Sequence, residues 1–112
     1  MLEFALAQLG KPYLWGAVGP DSYDCSGLVQ TAYRVAGVNM PRVSRQQATV
    51  GKEVARSDVR AGDLIFYYEP VSHVAIAVDS TRVVHAPSFG QNVKMGTIDN
   101  IGPITVIRRV VG

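Results

Sequence analysis

The hydrophobic pattern of this chain changes its period once, at Gly62, and this change restricts the folds that the chain can adopt. Before Gly62, apolar residues recur at helical spacing. After it, short β-branched or aromatic runs are separated by turn residues. Helices followed by consecutive short strands are typical of an α+β fold, with N-terminal helices packed on a C-terminal antiparallel sheet. At 112 residues, the chain is predicted to form a single domain over residues 1–112.

Three helices are predicted before the change in period. An apolar stripe predicts a helix over residues 2–9. A second stripe predicts a helix that begins at Cys25, with Gly37 in the C′ position just after its end. Residues 12–23 are rich in glycine, proline and aromatic residues, which indicates an ordered loop. A Ser-x-x-Gln spacing that starts at Ser44 is typical of a capping box and predicts a short third helix.

Four strands are predicted after Gly62, over residues 63–68, 73–78, 82–86 and 104–109. In the second of these strands, the alternation of side chains puts His73 on the same face as Ala75 and Ala77. Because alanines are small, we expect the helix that carries Cys25 to pack against this face. That packing would bring the thiol and the imidazole together.

Cys25 is the only cysteine, and it begins the second predicted helix within Asp24-Cys25-Ser26-Gly27. The positive end of the helix dipole favours a thiolate at this position. Gly27 has no side chain to block the approach of a substrate. Cys25 is therefore a candidate nucleophile, and the alternative is a buried structural thiol.

The only two histidines, His73 and His85, both lie in predicted strands downstream of Cys25. This order is typical of papain-like cysteine hydrolases, with His73 as the base and His85 as the group that orients it. The alternatives are a core-edge histidine for His73 and a surface histidine for His85. The two side chains share a face only if the connection between Val78 and Val83 has odd length or contains a bulge.

Composition and spacing exclude several other classes of function. The net charge of +2 is dispersed, which argues against a nucleic-acid partner, and no run approaches the ~20 apolar residues of a membrane span. Cysteine and histidine lack the spacing of zinc ligand pairs, so no cofactor or metal is expected. The chain begins with a helical pattern in place of an export signal, so a role outside the cytoplasm would imply a fragment or a mature form.

The order of the motifs along the chain resembles the NlpC-type family of peptidoglycan cysteine endopeptidases. The motifs are Tyr13-x-Trp15-Gly16, Asp24-Cys25-Ser26-Gly27-Leu28-Val29, Pro41-Arg42-x-Ser44-x-x-Gln47, Gly62-Asp63-Leu64-Ile65-Phe66, Ser72-His73-Val74-Ala75-Ile76 and Val84-His85-Ala86. The resemblance implies a papain-like fold and the catalytic triad Cys25, His73 and His85. It also implies a Tyr13 hydroxyl near the oxyanion.

Further expectations follow from the same resemblance. Asp24 and Ser26 are expected to recognise the substrate, and Asp24 is expected to bind a free α-amine of the stem peptide. Ala17 and Ala75 stand where the family has glycine, and their methyl groups are expected near the substrate. The expected activity is hydrolysis of the bond between D-glutamate and diaminopimelate or lysine in peptidoglycan stem peptides, by a secreted or cell-wall-associated monomer. The alternatives are an amidase or acyltransferase with the same triad, or a catalytically weak wall-binding domain.

Overall fold

The computed structural model describes residues 1–110, so Val111 and Gly112 of the predicted 1–112 domain lie outside the described residues. The helices are α1 (Leu2–Ala7), α2 (Cys25–Val35) and α3 (Ser44–Gln47), and the strands are β1 (Lys52–Glu53), β2 (Leu64–Tyr67), β3 (His73–Ala77), β4 (Arg82–His85), β5 (Lys94–Thr97) and β6 (Ile104–Arg109). All strand pairs are antiparallel, and the sheet order is β1-β6-β2-β3-β4-β5. The predicted α+β arrangement is confirmed. Within residues 1–110, every helix is too short or too polar to cross a bilayer.

Local hydrogen bonds at its two ends explain why α2 begins at the cysteine and ends before Gly37. The Asp24 carboxylate accepts a hydrogen bond from the Gly27 N–H at 2.7 Å and so caps the first turn. At the other end, Gly37 adopts a φ of +81°, and its N–H donates to the Arg34 carbonyl at 2.9 Å. Cys25 is therefore held as the first residue of a defined helix.

The sheet has an apolar core on each face, and α2 packs on the face that we did not expect. Leu28 and Val29 of α2 contact the cluster that includes Val74 and Ile76. The opposite face, with Ala75, packs against a second cluster, whose members outside β3 come from other strands and connecting segments: Val54, Val59, Ile65, Tyr67, Val83, Ile98 and Ile107. The predicted packing of α2 on the alanine face is wrong, because the larger side chains of the other face bury more apolar area against a helix.

The register between β3 and β4 puts the two histidines on one face. Ile76 pairs with Val84, and the Val78 N–H donates to the Arg82 carbonyl at 2.8 Å, which leaves a three-residue connection at 79–81. The predicted odd-length connection is confirmed.

Two further features differ from the sequence-based expectations. Ser44 is not a helix cap: Val43 occupies the N-cap position of α3, and the buried Gln47 amide instead donates to the Ser26 and Pro41 carbonyls at 3.1 and 2.8 Å. Strands β1 and β5 were not predicted. Both are short, and β5 contains a glycine and little apolar alternation.

Candidate active site

Two cavities meet at the cysteine. The larger one has a volume of about 580 Å³, and we name it the histidine-side cavity because His73, His85 and Lys94 line it. The smaller one has a volume of about 380 Å³, and we name it the arginine-side cavity because Arg42 lines it. Three residues line both cavities: Tyr13, Cys25 and Ser72. A substrate that extends through both cavities would pass over the thiol.

His73 and His85 form a direct hydrogen bond inside the protein. His73 Nε2 lies 2.8 Å from His85 Nδ1, and both residues are buried. Burial, and then the neighbouring His85, lower the pKa of His73 to about 4. Burial, and then Lys94, lower the pKa of His85 to about 4. Both rings are therefore neutral at neutral pH, and the Nδ1 atom of His73 is left available for a second partner.

The environment of Cys25 contains opposing electrostatic effects. Burial is the largest and raises the pKa of the thiol, and Asp24 acts in the same direction. The backbone N–H groups of Val74, Ser26 and Cys25 itself lower this pKa. The helix terminus thus favours the thiolate as the sequence predicts, but burial outweighs it in the resting enzyme, so the thiol needs a base to remove its proton.

Asp24 is the centre of a hydrogen-bond cluster at the wall of the arginine-side cavity. Oδ1 accepts from the Gly27 N–H at 2.7 Å, Arg42 Nη1 at 3.1 Å and the Ser26 hydroxyl at 3.3 Å. Oδ2 accepts from Arg42 Nη2 at 2.7 Å and the Gly16 N–H at 2.9 Å. Arg42 Nη1 also donates to the Ser26 hydroxyl at 2.8 Å. The pairing of Arg42 with Asp24 could not be predicted, because 18 positions separate the two residues.

Tyr13 lies beside the thiol, in the wall shared by both cavities. Burial, followed by the charges of Cys25 and Asp24, raises the pKa of its hydroxyl group, while Arg42 opposes this shift. The hydroxyl is therefore protonated at neutral pH and can donate a hydrogen bond. Its backbone is anchored by the Tyr13 N–H, which donates to the Gln91 carbonyl at 2.9 Å.

Two expectations about small residues near the substrate are corrected. Gly27 is buried, and a Cβ atom there would lie 2.2 Å from the Ala17 carbonyl oxygen, so this glycine allows the loop to pack on α2 and does not open a path to the thiol. Ala75 is buried in the second core, away from the residues that line the two cavities.

The unpredicted strand β5 contributes part of the histidine-side cavity. Lys94 and Gly96 both line it, and a Cβ atom at Gly96 would lie 3.0 Å from His85 Nε2. The only sequence signal for this role is a glycine in a short segment of low apolar content. Over residues 1–110, the structure brings together no group of three or more histidine, cysteine, aspartate or glutamate side chains that could hold a metal ion.

Several known proteins with similar sequences are peptidases by name. The NlpC/P60 family model matches residues 10–110. A probable endopeptidase from Mycobacterium tuberculosis is 38% identical over 109 residues, which cover 97% of this chain and 28% of the relative. A gamma-D-glutamyl-L-lysine dipeptidyl-peptidase from Bacillus subtilis is 36% identical over 95 residues, which cover 80% of this chain and 32% of the relative. A bifunctional muramidase/DL-endopeptidase from the same organism is 35% identical over 96 residues, which cover 80% of this chain and 29% of the relative. The chain thus spans about a third or less of the length of each of these relatives.

Solved structures agree with the sequence relatives. NlpC1 from Trichomonas vaginalis superposes with a TM-score of 0.91 at 32% identity, covering 97% of this chain and 42% of that protein. The NlpC/p60 domain of the peptidoglycan hydrolase SagA superposes with a TM-score of 0.87 at 31% identity, covering 96% and 94%. The chain therefore belongs to the NlpC/P60 family and has the papain-like α+β fold expected from its sequence.

Proposed function

We propose that this domain is a cysteine peptidase that hydrolyses a peptide bond in the stem peptides of bacterial peptidoglycan. The observation that carries the proposal is the common cavity of Cys25, His73 and His85, in which the two histidine rings are joined by a 2.8 Å hydrogen bond. The endopeptidase names of the relatives support the peptide bond as the target. The γ-D-glutamyl-lysine specificity of one relative supports the bond between D-glutamate and a diamino acid, either diaminopimelate or lysine.

In the first chemical step, Cys25 Sγ attacks the carbonyl carbon while His73 Nδ1 takes the thiol proton. A neutral His73 can do this because its pKa, lowered to about 4 by burial, leaves the ring unprotonated at neutral pH. Since Nδ1 must accept, Nε2 carries the hydrogen and donates it to His85 Nδ1. His85 thus holds the tautomer and the orientation of His73.

Collapse of the tetrahedral intermediate completes acylation. The C–N bond breaks, the His73 imidazolium gives its proton to the leaving amine, and a thioester remains on Cys25. Water then attacks the thioester carbonyl, with His73 again as the base. The C–S bond breaks, the carboxylic acid product leaves, and His73 returns the proton to Cys25 Sγ. The backbone N–H of Cys25, at the start of α2, and the Tyr13 hydroxyl are the proposed donors to the oxyanion.

This chemistry orients the substrate. The leaving amine must face His73, which lines the histidine-side cavity, so the diamino acid occupies that cavity. The acyl half, with the D-glutamate, then lies in the arginine-side cavity beside Asp24 and Ser26. Lys94 is placed to meet a carboxylate of the leaving half.

Digestion of purified peptidoglycan, with mass analysis of the released muropeptides, tests the proposal. The wild-type domain should release fragments cut at the D-glutamyl–diamino acid bond. Cys25→Ala should abolish turnover and leave the melting temperature nearly unchanged. Loss of ammonia or transfer of an acyl group would indicate the amidase or acyltransferase alternative. Binding without any product would indicate a wall-binding domain, and full activity in Cys25→Ala would overturn the mechanism.

The proposal extends to where and how the domain acts. Residues 1–112 are proposed to fold as one monomeric domain that acts outside the cytoplasmic membrane, where its polymeric substrate lies. Fractionation of cells that carry the full-length protein tests the location, and an exclusively cytoplasmic protein would contradict it. The molar mass of the purified domain in solution tests the monomer.

A further inference from the structure

We infer that the free edge of strand β5 binds the leaving half of the substrate as an added β-strand. The inference rests on the proposed function, because that function puts the leaving half in the histidine-side cavity. The partner is an extended peptide main chain that continues beyond the diamino acid. Recognition of this kind depends on main-chain N–H and C=O groups, so we expect it to tolerate different side chains.

Strand β5 ends the sheet and borders the cavity. Its residues pair with β4 on one side, and its other side is a sheet edge. Edge strands carry a row of N–H and C=O groups that can pair with a further chain. All four residues of β5 line the histidine-side cavity: Lys94, Met95, Gly96 and Thr97. Because side chains alternate between two faces, a cavity that contacts four consecutive residues runs along the edge of the strand.

Hydrogen bonds just before β5 show which of its backbone groups point outwards. The Val93 N–H donates to the Lys11 carbonyl at 2.7 Å, and the Val93 carbonyl accepts from the Gly10 N–H at 2.9 Å. Both bonds lie on the side away from β4. Because the direction of the backbone groups alternates along a strand, the N–H and C=O groups of Met95 and Thr97 point to this same outer side.

The far end of β5 agrees with this assignment. The Ile98 N–H donates to the Thr81 carbonyl at 2.9 Å, in the segment that leads into β4, so the even-numbered residues face β4. Among residues 1–110, no backbone group pairs with the outward groups of Met95 and Thr97. The open edge thus offers two donors and two acceptors, in two sets about 7 Å apart, which is the spacing of alternate residues in a strand.

A segment of this chain already pairs with the same edge, ahead of β5. Residues 10–13 run beside residues 91–93, where the Tyr13 N–H donates to the Gln91 carbonyl at 2.9 Å and an antiparallel bridge forms. The chain before residue 10 is the turn after α1, so this pairing stops before β5 begins. The edge therefore accepts an extended chain and stays open where it borders the cavity.

The open edge lies at the reach of the later residues of the leaving half. In the proposed mechanism the thiol is next to His73, and His85 lies 2.8 Å beyond it. A Cβ atom at Gly96 would in turn lie 3.0 Å from His85. These contacts put β5 on the order of 10 Å from Cys25, a distance that about three extended residues span. The diamino acid fills the space beside the histidines, so the residues that follow it reach the edge.

The first test measures cleavage of two synthetic peptides that share one acyl half and the γ-D-glutamyl–diamino acid bond. The short peptide ends at the diamino acid, and the long peptide continues with two D-alanines. Both end in a neutral amide, so that Lys94 meets no added charge, and both are made with lysine and with diaminopimelate. The kcat/KM of the long peptide should be about tenfold or more above that of the short one, mainly through a lower KM. A ratio of one would overturn the inference and leave the proposed function in place.

Ester analogues of the long peptide show whether the gain comes from main-chain hydrogen bonds. In each analogue, D-lactate replaces one of the two D-alanines, so one amide N–H becomes an ester oxygen and both methyl groups stay. Successive N–H groups of an extended chain point to opposite sides. One ester should therefore lose about fivefold or more in kcat/KM, and the other should keep most of the gain. Strand pairing would be excluded if neither ester lost the gain or if both lost it equally.

Thr97→Pro tests the edge from the side of the enzyme. Proline has no N–H, and at an edge position whose N–H points outwards it leaves the ladder between β4 and β5 intact. The ratio of long to short peptide should fall about fivefold. Thr97→Val is the matched control, because it removes the hydroxyl and keeps the main-chain N–H, so it should keep the wild-type ratio. A wild-type ratio in a folded Thr97→Pro protein would overturn the assignment, and the ester measurements decide if that variant does not fold.

The remaining outcomes separate the inference from the proposed function. Cleavage of no peptide by a domain that also fails to digest peptidoglycan would overturn both together. Digestion of peptidoglycan with equal cleavage of the long and short peptides would overturn only the inference. A dimer that Thr97→Pro converts into a monomer, with a peptide ratio of one, would show that the edge pairs with a second copy of this chain instead. Cys25→Ala, assayed beside the wild type, excludes hydrolysis by a contaminant.

Discussion

At the scale of single residues, the site combines a partly buried thiol with two buried, neutral histidines. The Cys25 thiol has its pKa raised by burial, and His73 and His85 have theirs lowered to about 4 by the same cause. A resting state of uncharged groups costs little to bury. In the proposed mechanism, charge develops only when a substrate is bound, and the N–H groups at the start of α2 are the proposed donors that stabilise it.

The roles proposed for the two histidines predict different losses of activity. His73→Ala removes the base and should lower kcat/KM by about 10²–10⁴-fold, whereas His85→Ala should be less damaging because it only disorders the base. His85→Asn is the informative control, since its side-chain oxygen can accept from His73 Nε2. We expect its kcat/KM to lie above that of His85→Ala. Equal activity in the two His85 variants would contradict an orienting role.

Gly96 provides the space for His85. Alanine at this position would put a Cβ atom 3.0 Å from His85 Nε2 and 3.4 Å from Val83 Cγ2, so the imidazole must move by a few tenths of an ångström. Gly96→Ala should therefore lower kcat about tenfold through misplacement of His73, while changing the melting temperature little. Steady-state kinetics and thermal melts measure both quantities. A variant with normal kcat would show that the ring has more freedom than the structure indicates.

At the scale of elements, the active site depends on the contact between α2 and the loop at residues 12–23. The Asp24 N–H donates to the Ala17 carbonyl at 3.0 Å, and Gly27 lies directly against the same carbonyl. The Gly16 N–H then reaches the Asp24 carboxylate. These contacts hold Tyr13 in the loop beside Cys25 at the helix start.

Gly27→Ala tests this contact. Helix propensity alone would make alanine stabilising by roughly 0.5–1 kcal/mol, but the added Cβ atom would lie 2.2 Å from the Ala17 oxygen. Overpacking against backbone costs about 1–3 kcal/mol or more, so the free energy of unfolding should fall. Chemical denaturation measures the change. A more stable variant would mean that the loop can move away from α2 at little cost.

At the scale of the whole molecule, the buried histidines couple folding to pH. Both have a folded-state pKa of about 4 against an ordinary value of 6.5, so between these two values the unfolded chain binds more protons than the folded one. Stability is therefore complete above about pH 6.5 and is lost as the pH falls towards 4. Above about pH 6.5, raising the pH further should bring no additional stability from these two groups.

The measurement is the melting temperature at pH 7.5 and at pH 5.5. We expect it to fall by roughly 5–10 °C at the lower pH. A double variant, His73→Gln with His85→Gln, removes both titrating groups and should lose most of this dependence. If the wild type and the double variant respond equally to acid, the coupling resides in other groups.

Much of the site could be predicted because its signals are local. The start of α2 at Cys25 follows from a capping aspartate and an apolar stripe within one segment. The β3–β4 register follows from the short connection between the two strands, together with the requirement that His73 and His85 share a face. The motif order was sufficient to identify the family, which residues 10–110 confirm. The catalytic roles of Cys25, His73 and His85 remain predictions.

Other features were decided only when distant segments met. The face on which α2 packs depends on the relative bulk of two sets of side chains, and both sets are apolar enough to be buried. The Asp24–Arg42 pair joins residues 18 positions apart, and β5 reaches its place beside His85 by pairing with β4 although its own residues carry little strand signal. The sequence by itself determined the order of elements and the residues available for chemistry, because these depend on neighbours along the chain. The tertiary structure decided their charge states and the shape of the two cavities, because burial and ion pairing are properties of the packed molecule.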